Sequence, residues 1–529
     1  MKKWFVYSVA VVVLLGCRAT GDELLSYGQN DTQAYYNAGK SHEATFLALW
    51  TAMNENYGVW DYEAEHGVDW DEVYNTYLPL FQALDDTTRQ APSRDSVKTL
   101  YSSFLDSLHD GHLTIQIKMR DWDYPISIQP GFSRVKRERG AEYALVNKYV
   151  TNPTIYASLS GECHAEMLDS VDGPAMCRQF MHGILDRVIA QGEAYLAELE
   201  PYKNTEAIQK TWLEVEKMVN NAKVYRNTTS LQDLLNTDIT GYNTFCNTYS
   251  ALGPVIGVEL VPVDESILKD HLGDVYVARF KGNIMYLRFE GFGWTAHLEP
   301  SMQTTDTTTL YYAYQQEVIR VWHLWFDAIQ EYHSNGTLGG VIVDVRNNGG
   351  GYVNDSKFIL GALLPSGGYT PCTLRTKNGI GRYDFGPLMP FQVLTYPEAH
   401  EVVDDRPVVV LANVRSVSMA ENTSWSVKTL PNGTLMGTRT FGGLSALNTA
   451  PESYSETYSG AFGEQGVTAI WGYVPKYVAL YDTEGDGKLQ ILEGIGITPD
   501  KEVPFDLGLY QITGRDNQLE AAIQFINQQ

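Results

Sequence analysis

The sequence predicts a mixed α/β protein with a helical domain near its amino-terminal end and a helical insertion ahead of the main sheet. Apolar residues recur at three- and four-residue intervals through residues 43–114, which is the spacing of amphipathic helices. The same spacing returns in residues 160–222, where two long helices are expected to form an antiparallel hairpin. From Asp274 onward, apolar strand-like runs alternate with helical stretches, which is the pattern of a sheet with helices packed on it.

The length and charge of the chain limit the classes of protein to which it belongs. Its 529 residues exceed one simple core, so two or three packed units are expected. The hydrophobic content of 44% and the charged content of 19% are ordinary for a globular protein. The formal net charge of −25 argues against a nucleic-acid partner, because a phosphate backbone is bound by a basic surface.

The first residues have the features of an export signal. "MKKWFVYSVAVVVLLGC" places two lysines before an apolar run that is too short to span a bilayer comfortably, and a small residue precedes Cys17. The pattern resembles a bacterial lipoprotein signal peptide, residues 1–17, with lipid attached to Cys17; an ordinary secretory signal or a short membrane anchor is the alternative. Several acyl chains would hold the protein stably on a membrane. We therefore expect a lipid-anchored protein of the bacterial cell envelope, periplasmic or on the outer-membrane face, with residues 18–42 as a polar tether.

Three regions follow the tether. Residues 43–119 are interpreted as an N-terminal helical domain, in which one helix begins near Asp69 or Asp71. Residues 120–272 are interpreted as a mixed domain, with short strands at "YPISIQP" and "EYALVNKYV" followed by the helical hairpin. Residues 273–529 form the third region, and no internal repeat is visible in the chain.

Four cysteines remain if Cys17 carries lipid, namely Cys163, Cys177, Cys246 and Cys372. An exported location permits disulfides, but four cysteines allow three complete pairings and their spacing does not choose among them. His164 adjoins the first of these cysteines, yet no pair has the CxxC spacing of a zinc site. We therefore expect neither a metal nor a cofactor.

The elements of residues 273–529 follow one another in a regular order. "VYVARFKGNIMYLRFEGF" reads as two strands around a Lys-Gly turn, and the long helix after it ends at Gly336. "GGVIVDVRNNGGG" is a buried strand that runs into a glycine loop, and "RPVVVLAN" is a second buried strand. "SMAENTSWSVKTLPNG" is a helix stopped by Pro431 and Gly433.

Two of these junctions are suited to binding an anion. The consecutive glycines 349–351 let backbone amides turn toward a ligand where side chains would block them. Ser418 begins a helix, so its hydroxyl lies at the positive end beside the free amide of Met419. Each feature also has a plain structural explanation, because glycine runs make turns and Ser418 with Glu421 matches a capping box. The residues alone leave both interpretations open.

The order and spacing of four motifs resemble peptidase family S41. The motifs are "GGVIVDVRNNGGG", "RPVVVLANVRSVSMAE", "GTRTFGG" and "EGIGITPDKEV". The resemblance covers residues 275–507 well, and "DWDEVY" and "SLHDGHLTI" extend it more loosely toward the amino terminus. Because the family comprises the C-terminal processing proteases and the tricorn-protease core, the resemblance implies a ClpP/crotonase-like ββα core.

The resemblance also implies roles for individual residues. Ser418 corresponds to the nucleophilic serine, and the amides of Met419 and Gly350 correspond to the donors of the oxyanion hole. The processing proteases have a general-base lysine at the position that Gly443 occupies in this chain. Arg439 cannot replace that lysine, because a guanidinium group stays protonated.

The tricorn-like branch of the family lacks this lysine, and it implies a histidine base. "LHDGHLT" matches the histidine motif, which makes His112 the candidate base and His109 a less favoured substitute. Glu493 in "LEGIGITPD" matches the carboxylate that orients the histidine. Gly111 stands where the tricorn pattern has a serine, and Thr114 is the candidate for a replacement hydroxyl.

The segment from Asp482 to Glu493 has two interpretations. Its acidic residues and Gly487 fit the spacing of an EF-hand calcium loop. The same stretch also reads as two strands joined by an Asp-Gly turn, and no strong amphipathic helix flanks it. We expect the hairpin.

These features together predict an exported, lipid-anchored serine endopeptidase that cleaves extended peptides or unfolded protein tails. No carboxylate-binding loop of a PDZ module is recognisable, and the helical hairpin at 160–222 is the candidate to take its place. The alternative from another class is a catalytically inactive peptide- or ligand-binding lipoprotein on the same scaffold, which Gly443 and Gly111 both favour. A third interpretation is an esterase with the same serine–histidine chemistry.

Overall fold

A computed structural model describes most of the chain after residue 37. The described residues are 38–88, 90–151, 171–235, 258–260, 275–364, 368–393, 403, 405–445, 461–463, 465–475, 477–506 and 516–529. Cys17, the tether up to residue 37, Cys163 and Cys246 lie outside them. The chain divides into two compact units: the first comprises Met1–Ser133, Cys372–Phe391 and Gly443–Gly494, and the second comprises Arg134–Pro371, Gln392–Gly442 and Ile495–Gln529.

The α-helices of the described residues are α1 (His42–Asn56), α2 (Trp60–Glu65), α3 (Trp70–Leu84), α4 (Arg94–Leu105), α5 (Pro130–Thr151), α6 (Gly173–Leu199), α7 (Glu206–Arg226), α8 (Leu231–Leu235), α9 (Thr295–Leu298), α10 (Leu310–Ser334), α11 (Ser356–Leu360), α12 (Met419–Lys428) and α13 (Asn517–Ile526). In this part of the chain no helix is both long enough and apolar enough to cross a bilayer.

The strands are β1 (Thr114–Ile117), β2 (Ile126–Ile128), β3 (Val258–Leu260), β4 (Tyr276–Phe280), β5 (Ile284–Arg288), β6 (Gly340–Asp344), β7 (Tyr369–Thr376), β8 (Met389–Val393), β9 (Val408–Ala412), β10 (Gly433–Gly437), β11 (Ala461–Phe462), β12 (Ile470–Tyr473), β13 (Tyr477–Asp482), β14 (Leu489–Ile491) and β15 (Lys501–Glu502). Within the described part of the chain these strands form three sheets, of which the largest has seven strands.

The N-terminal helical region is present in the first unit. Asp69, rather than Asp71, caps α3, because its carboxylate accepts hydrogen bonds from the amides of Asp71 at 2.9 Å and Glu72 at 3.1 Å. Phe46 of α1 stacks on Phe81 of α3 with ring centroids 4.7 Å apart. Aromatic contacts of this kind join the helices into one apolar core.

Two further sheets have four strands each. One has the strand order β11-β12-β1-β2, with β1 paired to both β12 and β2. The other has the order β14-β13-β7-β8, in which Leu480 of β13 is paired with Ile491 of β14. The segment from Asp482 to Glu493 therefore contains the second strand of the expected hairpin.

One expected strand is a helix. The interpretation of "EYALVNKYV" as a strand is wrong, because these residues lie in α5, which is kinked at Arg139 (φ −131°, ψ 29°). Val135, Tyr143 and Val146 belong to one apolar cluster. Tyr143 and Val146 follow the kink and are three residues apart, which places them on one face of a helix, whereas a strand would turn them to opposite sides.

The predicted helical hairpin is confirmed in α6 and α7. Glu193 pairs with Lys223 at 2.7 Å and Asp186 pairs with Arg226 at 2.6 Å. Between these two pairs the residue number falls along α6 and rises along α7, so the two helices are antiparallel. Their facing sides form an apolar cluster around Ile184.

The main sheet lies in the second unit and has the strand order β15-β10-β9-β6-β5-β4-β3. The strands from β15 to β5 are parallel, whereas β4 is antiparallel to both of its neighbours. β6 and β9 are buried along their whole lengths, as expected for adjacent strands of a covered parallel sheet. The apolar face of α13 packs on this sheet. The mixed α/β class predicted from the sequence is confirmed.

Candidate active site

Ser418 occupies a strained turn between β9 and α12. Its backbone angles are φ +59° and ψ −118°, which a residue other than glycine seldom adopts. Such strain persists only where the surroundings enforce it, and it clusters at functional sites. Ser418 is partly exposed, whereas every residue from Met419 to Val427 is buried. The turn therefore presents one hydroxyl at the start of a buried helix.

The other serine of the turn, Ser416, has a structural role. It is fully buried, its hydroxyl donates to the carbonyl of Val345 at 2.7 Å, and it accepts from the amide of Asn413 at 3.0 Å. The side-chain oxygen of Asn413 accepts from the amide of Asn347 at 3.2 Å. Because β6 and β9 are parallel neighbours, their carboxyl ends meet, and these bonds tie the two following loops together.

The glycine loop after β6 lies directly against Ser418. Gly350 has φ +87°, and a Cβ atom at this position would be 2.5 Å from the Cβ atom of Ser418 and 3.0 Å from the amide nitrogen of Met419. The amide of Gly350 donates to the side-chain oxygen of Asn348 at 2.8 Å, so an oxyanion would share or displace that bond. The structure thus brings the two predicted oxyanion donors to the serine turn.

Glu421 holds the serine turn from inside the protein. It is fully buried, and its Oε2 atom accepts from the amide of Ser418 at 3.2 Å. Its Oε1 atom accepts from the hydroxyl of Thr440 at 2.6 Å and from the amide of Gly442 at 2.8 Å. The Glu421 amide donates to the Ser418 carbonyl at 2.9 Å, so this donor is satisfied by the backbone. The glutamate half of the predicted capping box is formed, and it also anchors the segment 440–442.

His112 and Glu493 lie together in the first unit. The carboxylate of Glu493 is buried; Oε2 accepts from the amide of Gly111 at 3.1 Å, and Oε1 accepts from the amides of Leu444, at 2.9 Å, and Ser445. Burial lowers the pKa of His112 below its ordinary value, and the negative charge of Glu493 opposes this only in part. The imidazole is therefore neutral at pH 7, which is the form that a general base needs.

The ring of His112 is not held by a hydrogen bond at Nδ1. This atom is buried, and within the described part of the chain it has no hydrogen-bond partner. Thr114 does not supply one, because its hydroxyl donates to the backbone carbonyl of His112 at 3.4 Å. The charge of Glu493 acts on the ring, whereas its hydrogen bonds within the described residues go to backbone amides.

Asp110 fixes the backbone of the histidine turn, a role that the sequence analysis missed. Its Oδ1 atom accepts from the amide of His112 at 2.7 Å and from that of Leu113 at 3.1 Å. The side chain is fully buried, and this burial, followed by the nearby charge of Glu493, raises its pKa well above the ordinary value. Aspartate often accepts a hydrogen bond from the backbone amide two residues on, so the sequence carried a weak signal for this contact.

His109 is anchored by a second buried carboxylate. Its Nδ1 atom lies 2.7 Å from Oε2 of Glu63, and its amide donates to Oε1 of the same residue at 2.8 Å. Tyr57 donates its hydroxyl to Glu63 at 2.7 Å. The contact between His109 and Glu63 joins residues on separate elements, so no local pattern in the sequence indicated it.

The candidate residues fall into two groups. Ser418, Met419, Gly350 and Glu421 are contiguous in the second unit, and His112, Glu493 and Thr114 belong to the first. Cys372 is a buried free thiol whose pKa is raised to about 12 by that burial. Among the described residues, no three His, Cys, Asp or Glu side chains are arranged to hold a metal ion.

Comparison with known proteins identifies sequence relatives. Residues 316–503 match the model of peptidase family S41. A carboxy-terminal-processing protease of Bartonella bacilliformis is 26% identical over 191 residues, which cover 35% of this chain and 37% of that protein. The tricorn protease of Thermoplasma volcanium is 26% identical over 197 residues, which cover 37% of this chain and 15% of that protein. The matches thus span well under half the length of either relative.

Solved structures also resemble the chain at low sequence identity. Mature CPAF, solved in complex with lactacystin, is 12% identical, and the superposition covers 93% of this chain and 100% of that one with a TM-score of 0.47. The photosystem II D1 C-terminal processing protease is 16% identical, with 46% of this chain and 48% of that one covered and a TM-score of 0.25.

Proposed function

The chain is a member of peptidase family S41, and from that premise we propose that it is a serine endopeptidase with Ser418 as its nucleophile. The observation that carries the proposal is the strained backbone of Ser418, with φ +59° on a residue that is not glycine. A serine that only capped its helix would have extended backbone angles, as Ser41 has at the start of α1.

The turn offers two means of stabilising a tetrahedral intermediate. The oxygen that becomes negative on attack would lie near the amides of Met419 and Gly350, which flank Ser418. The amino-terminal end of α12 adds the positive end of its dipole. Preorganised donors of this kind are typically worth ~100- to 1,000-fold each in kcat. For the Gly350 amide to contribute, its bond to Asn348 must be shared.

His112 is our choice for the general base. The choice rests on the match of "LHDGHLT" to the tricorn-like branch, and the lowered pKa of His112 supports it because a neutral imidazole can accept the serine proton. Glu493 would then act by its charge and by fixing the backbone at Gly111, in place of a direct bond to the ring. Asp110 positions the same turn from its other side.

The proposed substrates are extended peptides or unfolded protein tails, which the family resemblance favours. We also propose that Cys17 carries lipid and that the protein resides in the bacterial cell envelope, because residues 1–17 have the signal pattern described above. Metabolic labelling with palmitate tests the anchor: the wild type should incorporate label and Cys17→Ala should not. Equal labelling of both proteins would contradict the assignment.

A second candidate function is an inactive peptide-binding lipoprotein. Gly443 at the position of the family's lysine favours it, and so does the occupied amide of Gly350. The two functions differ in the reactivity of Ser418. If the protein only binds peptides, the hydroxyl of Ser418 should be inert. If it is a peptidase, this hydroxyl should react with an electrophile.

A fluorophosphonate probe and unfolded casein distinguish these functions. The peptidase predicts that the probe modifies Ser418, as located by peptide mass mapping, and that Ser418→Ala abolishes both labelling and casein hydrolysis. Ser334→Ala is the control, because this hydroxyl is exposed at the end of α10 and donates only to a local carbonyl. No labelling of Ser418 and equal, negligible hydrolysis by all three proteins would reject the peptidase.

The base is tested by a matched pair of substitutions in one turn. His112→Gln should lower kcat by at least ~100-fold, since general-base catalysis contributes about 100- to 10,000-fold. His109→Gln should mainly lower stability, because His109 is bound to buried Glu63. Full activity in folded His112→Gln, with loss in folded His109→Gln, would transfer the role to His109.

A further inference from the structure

The second unit contains a cavity of about 320 Å³ beside the kink of α5. Its wall includes residues of α5, the segment after β10, β15 and the segment that follows it, and α13. Val146, Pro504 and Phe505 make part of this wall apolar, and Arg139 and Arg439 bring positive charge. Small-molecule sites have volumes of roughly 300–1,000 Å³, so the cavity is large enough for a compact ligand.

One of the two arginines is fully engaged inside the protein. Arg139 donates from Nε and Nη2 to the carboxylate of Glu142 at 2.9 and 3.0 Å. It also donates to the carbonyls of Arg439 at 2.6 Å and Thr440 at 2.9 Å. Glu142 in turn accepts from the hydroxyl of Thr438 at 2.6 Å. This bidentate pair is satisfied without a ligand.

The other arginine has no such partner. The side chain of Arg439 is half-buried, and among the residues that the structure describes it forms no hydrogen bond or ion pair. Burial, followed by the nearby positive charge of Arg139, lowers its pKa, and the negative charges of Glu138 and Glu142 oppose this in part. A guanidinium nevertheless stays charged at neutral pH, and a partly desolvated cation that no carboxylate contacts by a hydrogen bond is unfavourable. An anion in the cavity would remove that cost.

Two carboxylates on the cavity wall limit the kind of anion, and of these Glu142 is already paired with Arg139. Glu502 is exposed and contributes to the wall, so it repels ligands with several negative charges, such as phosphate esters. The apolar surface of Val146 and Phe505 favours a ligand with an apolar body. A single carboxylate matches the planar, two-pronged geometry of a guanidinium.

We propose that this cavity binds a monocarboxylate with a compact apolar body, with the carboxylate paired to Arg439 and the apolar body on Val146 and Phe505. The same chemistry is present in a free aryl-alkyl acid and in the carboxyl terminus of a peptide that ends in an apolar residue. The site does not include Ser418, so the proposal stands or falls independently of peptidase activity.

Titration calorimetry of the full-length protein with 3-phenylpropionate tests the proposal. We expect saturable one-to-one binding by the wild type and by Ser418→Ala, and at least ~10-fold weaker binding of 3-phenylpropionamide, since a hydrogen bond to a charged group is worth about one decade or more in affinity. Arg439→Gln should weaken acid binding at least ~10-fold, and Arg439→Lys should restore part of it.

Arg320→Gln is the matched control, because it removes the same charge from the exposed face of α10, where Arg320 pairs with Glu317. It should bind the acid as the wild type does. Equal affinity for the acid and the amide in the wild type would overturn the proposal even if Arg439→Gln failed to fold. Equal binding by folded Arg439→Gln and Arg320→Gln would also overturn it.

The source of the carboxylate is decided by a second pair of ligands. A short peptide ending in phenylalanine is compared with the same peptide amidated at its carboxyl terminus. Competition with 3-phenylpropionate by the free peptide alone would support the proposal and assign a chain terminus as the ligand. Competition by neither peptide, with binding of the free acid intact, would support it with a small acid as the ligand. Competition by both peptides to the same extent would overturn it.

Discussion

Replacing Gly350 with alanine tests the contact between the glycine loop and Ser418. The new methyl group would lie 2.5 Å from the Cβ atom of Ser418 and 2.8 Å from the carbonyl oxygen of Val417. Gly350 also has φ +87°, a region that costs an L-residue ~1–2 kcal/mol. Displacing well-packed neighbours costs a further ~1–3 kcal/mol. We therefore expect Gly350→Ala to lower the free energy of unfolding by roughly 2–5 kcal/mol.

Gly349→Ala is the matched control, because a Cβ atom at that position would have nothing within 4 Å. Its free energy of unfolding should change by no more than ~0.5 kcal/mol, as for most surface substitutions. Urea unfolding measures both variants, and fluorophosphonate labelling measures the reactivity of Ser418. Because a displaced oxyanion donor costs ~100-fold or more, labelling of folded Gly350→Ala should slow by about that factor. Equal urea midpoints and equal labelling rates for the two variants would refute the close approach of Gly350 to Ser418.

Three further predictions concern buried carboxylates and the candidate base. Glu421→Gln places an amide group among three hydrogen-bond donors, so urea titration should show a loss of ~1–3 kcal/mol, with exposed Glu331→Gln unchanged. Burial raises the pKa of Asp355 from 3.8 to about 7, so its contribution to stability is complete below pH 3.8 and is lost as the pH rises through about 7. The free energy of unfolding should fall by up to ~4 kcal/mol over this range. In Asp355→Asn, the free energy of unfolding measured in urea should differ less between pH 5 and pH 8 than it does in the wild type. An equal difference in the two proteins would contradict the burial argument. The lowered pKa of His112 predicts that casein hydrolysis declines only below pH 6.5, and Glu493→Gln, which removes the opposing negative charge, should move this decline to lower pH; movement to higher pH would reject the electrostatic role.

The parts of the fold that the sequence predicted are those with strong local signals. β6 and β9 are continuous apolar runs, and both are buried strands. Ser418 does lie at the start of a helix, and Glu421 three residues later does bind its amide. The Asp-Gly turn likewise predicted the pairing of β13 with β14. In each case the residues that decide the structure are neighbours in the chain.

The parts that the sequence did not predict depend on distant contacts. Tyr143 lies in α5 because its helix face packs in an apolar cluster, which its local composition did not indicate. Glu63 contacts His109, which is 46 residues later in the chain. Asp110 is buried near the charges of Glu63 and Glu493. The close approach of Gly350 to Ser418 likewise joins two loops that are far apart in the sequence. The pairing of His112 with Ser418 stays a prediction.

Glu493 accepts hydrogen bonds from three backbone amides that are all synthesised before it, and this limits when folding can be completed during synthesis. The amide of Gly111 leaves the ribosome hundreds of residues before the carboxylate that accepts its hydrogen bond. Leu444 and Ser445 also precede their acceptor, though by a shorter interval. Because a buried amide without an acceptor is unfavourable, the His112 turn gains the last of its native hydrogen bonds only after residue 493 has been made. A nascent chain interrupted before residue 493 would therefore carry the helices of its first unit with an unfinished histidine turn.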